Sequence, residues 1–97
     1  MTESRSHKTT VNRIAKKLGA EPQDVGVDIK TKKVAVEVES PGTVKEGVKQ
    51  LQGHKGPVYI AGVNQETVQE ALAATKSTTI GVMDNQGKVV KESTRKK

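Results

Sequence analysis

Between Val25 and Ser40 the chain reads VGVDIKTKKVAVEVES, two alternating runs separated by a lysine-rich turn. Val25, Val27 and Ile29 share one parity, and Val34, Val36 and Val38 share another. Successive side chains of a strand point to opposite faces, so these six line one buried face only if the runs pair in a matching antiparallel register. A turn through Lys30 to Lys33 sets Ile29 opposite Val34 and Val27 opposite Val36. Asp28, Ala35, Glu37 and Glu39 then share the other face, with Asp28 opposite Ala35 and diagonal to Glu37, their backbones about 7–8 Å apart. Two readings of these acids stand side by side. Acids alternating with valines solvate the open face of an amphipathic hairpin. Equally, two carboxylates at this spacing suit one cation, and oxygen-only ligands favour Mg²⁺ or Mn²⁺, with water and phosphate completing the shell. Repulsion between Glu37 and Glu39, with the nearby lysines at the turn or beyond it, favours the second.

The 97 residues suffice for one compact domain with a small core, since only 32% are apolar, with no Phe or Trp and a single Tyr59. Without cysteine, disulfides, thiolate metal sites and thiol nucleophiles are excluded. No apolar run approaches a membrane span, and the polar N-terminus lacks a secretory apolar region, so the expectation is a soluble, cytoplasmic protein with no membrane partner. Seventeen basic against eleven acidic residues give a net charge of +6, which fits a polyanionic partner and equally serves solubility. Residues 1–8 are expected to form a flexible tail, 9–91 the domain, and 92–97 a basic tail.

Thr9 or Thr10 can cap a first helix with Val11, Ile14, Ala15 and Leu18 on one face and Gly19 as its stop. Arg13, Lys16 and Lys17 on its other face are either a phosphate-facing patch or a solvated surface. After the hairpin, Thr43-x-x-Glu46 predicts a capping box opening a second helix with Val44, Val48 and Leu51 buried, closed by Gly53. Residues 57–63, PVYIAGV, predict a central strand buried on both faces, parallel to Val34–Glu39 across a helical crossover. Asn64 caps a third helix, Gln65 to Lys76, facing the core with Val68, Ala71, Leu72 and Ala74. Thr78–Met83 and Lys88–Lys91 flank a turn at Asp84–Gly87 and predict a last hairpin. The histidines, His7 and His54, are not spaced as a metal pair, and no glycine pattern matches a phosphate-binding loop.

An Asp in one strand, a short turn, an apolar strand ending in Glu37-Val38-Glu39 and a helix carrying Gln50 resemble the PD-(D/E)xK nuclease superfamily, with its restriction-endonuclease-like fold. The similarity covers roughly residues 24 to 91. It implies an α/β fold with a mixed sheet flanked by helices, in the order α-β-β-α-β-α-β-β. It further implies that Asp28 and Glu37 coordinate Mg²⁺ with the Val38 carbonyl and that Gln50 helps fix the active site and DNA. Glu39 stands where the usual pattern has lysine, so it is expected to act as a second ligand or general base. Lys45 or Lys49 on the next helix would then supply the positive charge near the scissile phosphate. The implied activity is metal-dependent DNA hydrolysis by a homodimer. The alternative is a non-catalytic nucleic-acid-binding or interaction domain built on a degenerate nuclease fold.

Overall fold

The computed structural model describes residues 5–21, 28–54 and 56–94, with no account of the side chains of Arg5 and Ser6. Eight elements follow one another: α1 (Arg5–Leu18), β1 (Ile29–Lys30), β2 (Ala35–Glu39), α2 (Val44–Gln52), β3 (Val58–Gly62), α3 (Gln65–Ala74), β4 (Gly81–Met83) and β5 (Val89–Lys91). The strands form one mixed sheet in chain order, β1-β2-β3-β4-β5, whose two outer pairs are antiparallel and whose two inner pairs are parallel. This is the small α/β domain that the alternation of short apolar strands with helical stripes predicts. Among the described residues no helix is long and apolar enough to cross a membrane.

Each face of the sheet is buried under helices. Val11, Ile14 and Ala15 of α1 pack on one face against Ile29, Val36, Val38, Tyr59 and Ala61. On the other face Val44 and Leu51 of α2 and Val68 and Ala71 of α3 pack against Ala35, Val58, Ile60, Ile80 and Val82. Two successive right-handed crossovers advancing the same way along a sheet must return on the same face, which brings α2 and α3 together. β3 therefore lies at the centre with every residue buried, as its unbroken apolar run predicts.

Three local expectations need correction. First, Ile29 pairs with Val36 and Lys30 with Ala35, two residues away from the expected register. The cause is Thr31, whose Oγ1 accepts hydrogen bonds from Lys33 N–H at 3.0 Å and Val34 N–H at 2.9 Å while its own N–H donates to Val34 O. That closes the turn over Thr31–Val34 and removes Val34 from the strand. A two-residue slip keeps every side chain on its expected face, but Asp28 now falls opposite Glu37 instead of opposite Ala35. Val25 and Val27 lie outside the described residues.

Second, the face carrying Glu37 and Glu39 is not open, because α2 lies over it and both acids are only 8% exposed. Third, the capping box at α2 does not form. The Thr43 hydroxyl turns back to donate to Ser40 O at 3.0 Å and to accept from Ser40 N–H at 3.1 Å, leaving the helix start without a side-chain cap.

At α3, by contrast, Asn64 Oδ1 accepts from Thr67 N–H at 2.9 Å as an N-cap should. α1 starts at Arg5, ahead of the expected cap at Thr9 or Thr10, because nothing from Arg5 to Lys8 breaks a helix. Gly19, at φ 68°, ends it.

Candidate functional site

The backbone of β2 sets the geometry of the acids. Ala35 N–H and Glu39 C=O both bond toward β3, to Pro57 O and Val63 N–H. Alternation along the ladder therefore turns the N–H and C=O of Val38 the other way, toward the β1 edge. There the Asp28 carboxylate, just ahead of β1, meets the amide: Oδ2 accepts the Val38 N–H at 2.8 Å. His7, one turn ahead of Val11 on α1, brings Nε2 to 3.3 Å from the same oxygen, and both side chains are 15% exposed.

Glu37 points under α2 and hydrogen-bonds Asp28. Burial, then that hydrogen bond, then the negative charges of Asp28 and Glu39 push its pKa from 4.5 up to about 9. At neutral pH Glu37 accordingly holds its proton. The remaining oxygen, Glu37 Oε2, is buried with no hydrogen-bond partner among the described residues.

Glu39 lies against Gly47 of α2. Its pKa rises to about 7, through burial first; a Thr43 hydrogen bond opposes the rise, Asp28 adds to it, His7 opposes it and Glu46 adds to it.

The structure thus brings Asp28, Glu37 and the Val38 backbone together, with Glu39 two residues along the same strand face. It does not bring every sequence-derived candidate to them. At 100° per residue along α2, Gly47 and Gln50 share the flank turned to Glu39, whereas Lys45 and Lys49 lie on the opposite flank; all three polar side chains are exposed. Among the described residues no three acidic, histidine or cysteine side chains converge tightly enough to form a cation cage on their own. A divalent ion would find two carboxylates here, Asp28 and, once it had lost its proton, Glu37, and would have to complete its shell with water.

His7 is the participant that sequence reasoning missed. Its signal was present, since residue 7 precedes Val11 by four and so falls on the apolar stripe of α1. No protein-family model matches the chain, and no curated protein or solved structure shows significant similarity to it.

Proposed function

We propose that this protein is a metal-dependent nuclease that hydrolyses DNA phosphodiester bonds, on an α/β scaffold of the restriction-endonuclease-like kind. The observation that carries the reading is the direct apposition of Asp28 and Glu37 at the β1 edge. There the Asp28 carboxylate is fixed by Val38 N–H at 2.8 Å and Glu37 keeps an unpartnered buried oxygen. The order of elements supports it: acid, turn, Glu-x-Glu strand, helix, parallel strand.

Asp28, Glu37 and the Val38 carbonyl would hold the ion, which when bound lowers the pKa of water and neutralises charge developing on phosphate. The protein's own groups do the rest. Val38 N–H and His7 orient Asp28, Glu37 would serve as a ligand only in its deprotonated form, and Glu39, with a pKa near neutrality, suits a general base. The proposal includes a homodimer, in which two such centres would face the two strands of a duplex.

A second reading is a non-catalytic nucleic-acid-binding domain on the same scaffold. What favours it is the absence of lysine two residues after Glu37, with Lys45 and Lys49 on the flank of α2 away from the acids. One assay separates the two. Labelled linear, nicked, branched and single-stranded DNAs are incubated with Mg²⁺, Mn²⁺ or chelator, using wild type, Asp28→Asn and Glu37→Gln. Metal-dependent cutting that falls at least about 100-fold in both variants supports the nuclease. Binding without cutting in any metal supports the second reading.

A further inference from the structure

The turn that sets the register also builds a basic recess. Lys30, Lys32 and Lys33 border a cavity of about 470 Å³ whose opposite wall is His54 and the Gly56–Pro57 approach to β3, and among the described residues no acidic one lines it. The three lysines are exposed. They are displayed by a rigid turn, because the two Thr31 Oγ1 contacts and the Thr31 N–H bond to Val34 O at 2.8 Å fix its backbone. A second depression, of about 520 Å³, flanks the same turn beside Leu18–Glu21 of the α1 end. Lys30 and Lys32 therefore stand on a ridge with concave surface on both sides.

We infer that this recess binds the phosphodiester backbone of a nucleic acid, with Lys30, Lys32 and Lys33 as the phosphate contacts. Exposed ammonium groups spread along a ridge are a poor cage for one small anion, because each keeps its hydration. They suit a polyanion whose evenly spaced charges release counterions to several lysines at once. An excess of six positive charges over the whole chain attracts such a polymer from a distance. The position along β1 agrees. Lys30 lies only two residues from Asp28 along the chain, about 7 Å at the rise of a strand, so the ridge adjoins the acid pair. A strand seated on the ridge thus runs toward the Asp28–Glu37 pair. This placement rests on the proposed function for its class of ligand but needs no hydrolysis.

The test is fluorescence anisotropy of a labelled duplex in chelator, where no cleavage interferes. Lys32→Gln with Lys33→Gln is compared with Lys76→Gln plus Lys88→Gln, which removes the same charge elsewhere on the exposed surface. Expected is a loss of affinity of about tenfold at low salt and a salt slope smaller by about 2 for the turn variant, with a much smaller change for the control. Equal losses in the two variants, or an unchanged turn variant, would overturn the assignment by reducing it to net charge. So would displacement of the duplex by polyglutamate as effectively as by unlabelled duplex, since the recess would then not be selecting phosphate. Cleavage is scored separately with metal, so a nuclease that keeps its activity while the turn variant binds normally refutes the recess alone.

Discussion

Gly47 occupies a place in α2 that no side chain can share with Glu39: a Cβ on Gly47 would fall 2.7 Å from Glu39 Oε2 and 2.8 Å from its Cγ. Glycine in a helix interior ordinarily destabilises by about 1 kcal/mol relative to alanine, so its presence reflects the acid beneath it. Gly47→Ala is expected to destabilise the protein by about 1–2 kcal/mol through overpacking. In a Glu39→Ala background the same change should stabilise by about 1 kcal/mol. Urea denaturation of the four proteins of this cycle checks the reversal of sign, and additive effects would refute the contact.

The proton held by Glu37 makes stability depend on pH in a defined direction. Its folded pKa, about 9, lies above the ordinary 4.5, so the folded state binds the proton more tightly than the unfolded state does. Stability from this group is complete below pH 4.5 and declines as pH rises toward 9, with Glu39 adding to the decline up to about 7. The melting temperature should therefore fall across this window. Glu37→Gln, which cannot ionise, should flatten most of the slope; thermal melts at several pH values decide it.

A cation entering between Asp28 and Glu37 must displace that proton, so metal binding should strengthen with pH and release protons. The rise in melting temperature produced by Mg²⁺ or Mn²⁺ is expected to be larger at about pH 8 than at about pH 6. It should disappear in Asp28→Asn. A pH-independent rise that persists in this variant would show that the cation acts elsewhere.

Lys91 offers a purely structural test. Its Nζ donates to Ile80 O at 3.0 Å, to Thr75 Oγ1 at 3.3 Å and to Thr75 O, tying β5 to the end of α3 and the start of β4. Replacing it with methionine keeps the stem and removes the donors. A loss of about 1.5–3 kcal/mol in chemical denaturation is expected, with no change in DNA affinity beyond that of a single surface charge.

Much of this architecture was legible because its signals are periodic. Val44, Val48 and Leu51 report a helix and its buried face, the PVYIAGV run a strand covered on both sides, and Asn64 before Gln65 the start of a helix. What escaped depended on single side-chain hydrogen bonds. Thr31 could accept from two backbone amides or from none, and that choice moved the β1–β2 register by two residues. Thr43 turned to Ser40 instead of the α2 amides. The depth of Glu37 and Glu39 was equally hidden, because whether an alternating strand has an open face depends on where the following crossover lands. His7 was overlooked because the helix was started at Thr9 or Thr10, which left its i, i+4 spacing to Val11 outside the stripe.

The strands lie side by side in chain order, so each pairs with the strand that precedes it in the sequence. One tie runs against that order: Arg13 of α1 donates to Asn85 O at 3.0 Å across 72 residues of sequence. The helix that carries His7 to Asp28 is thereby fastened to the last turn as well, so one helix bridges the two antiparallel margins of the sheet.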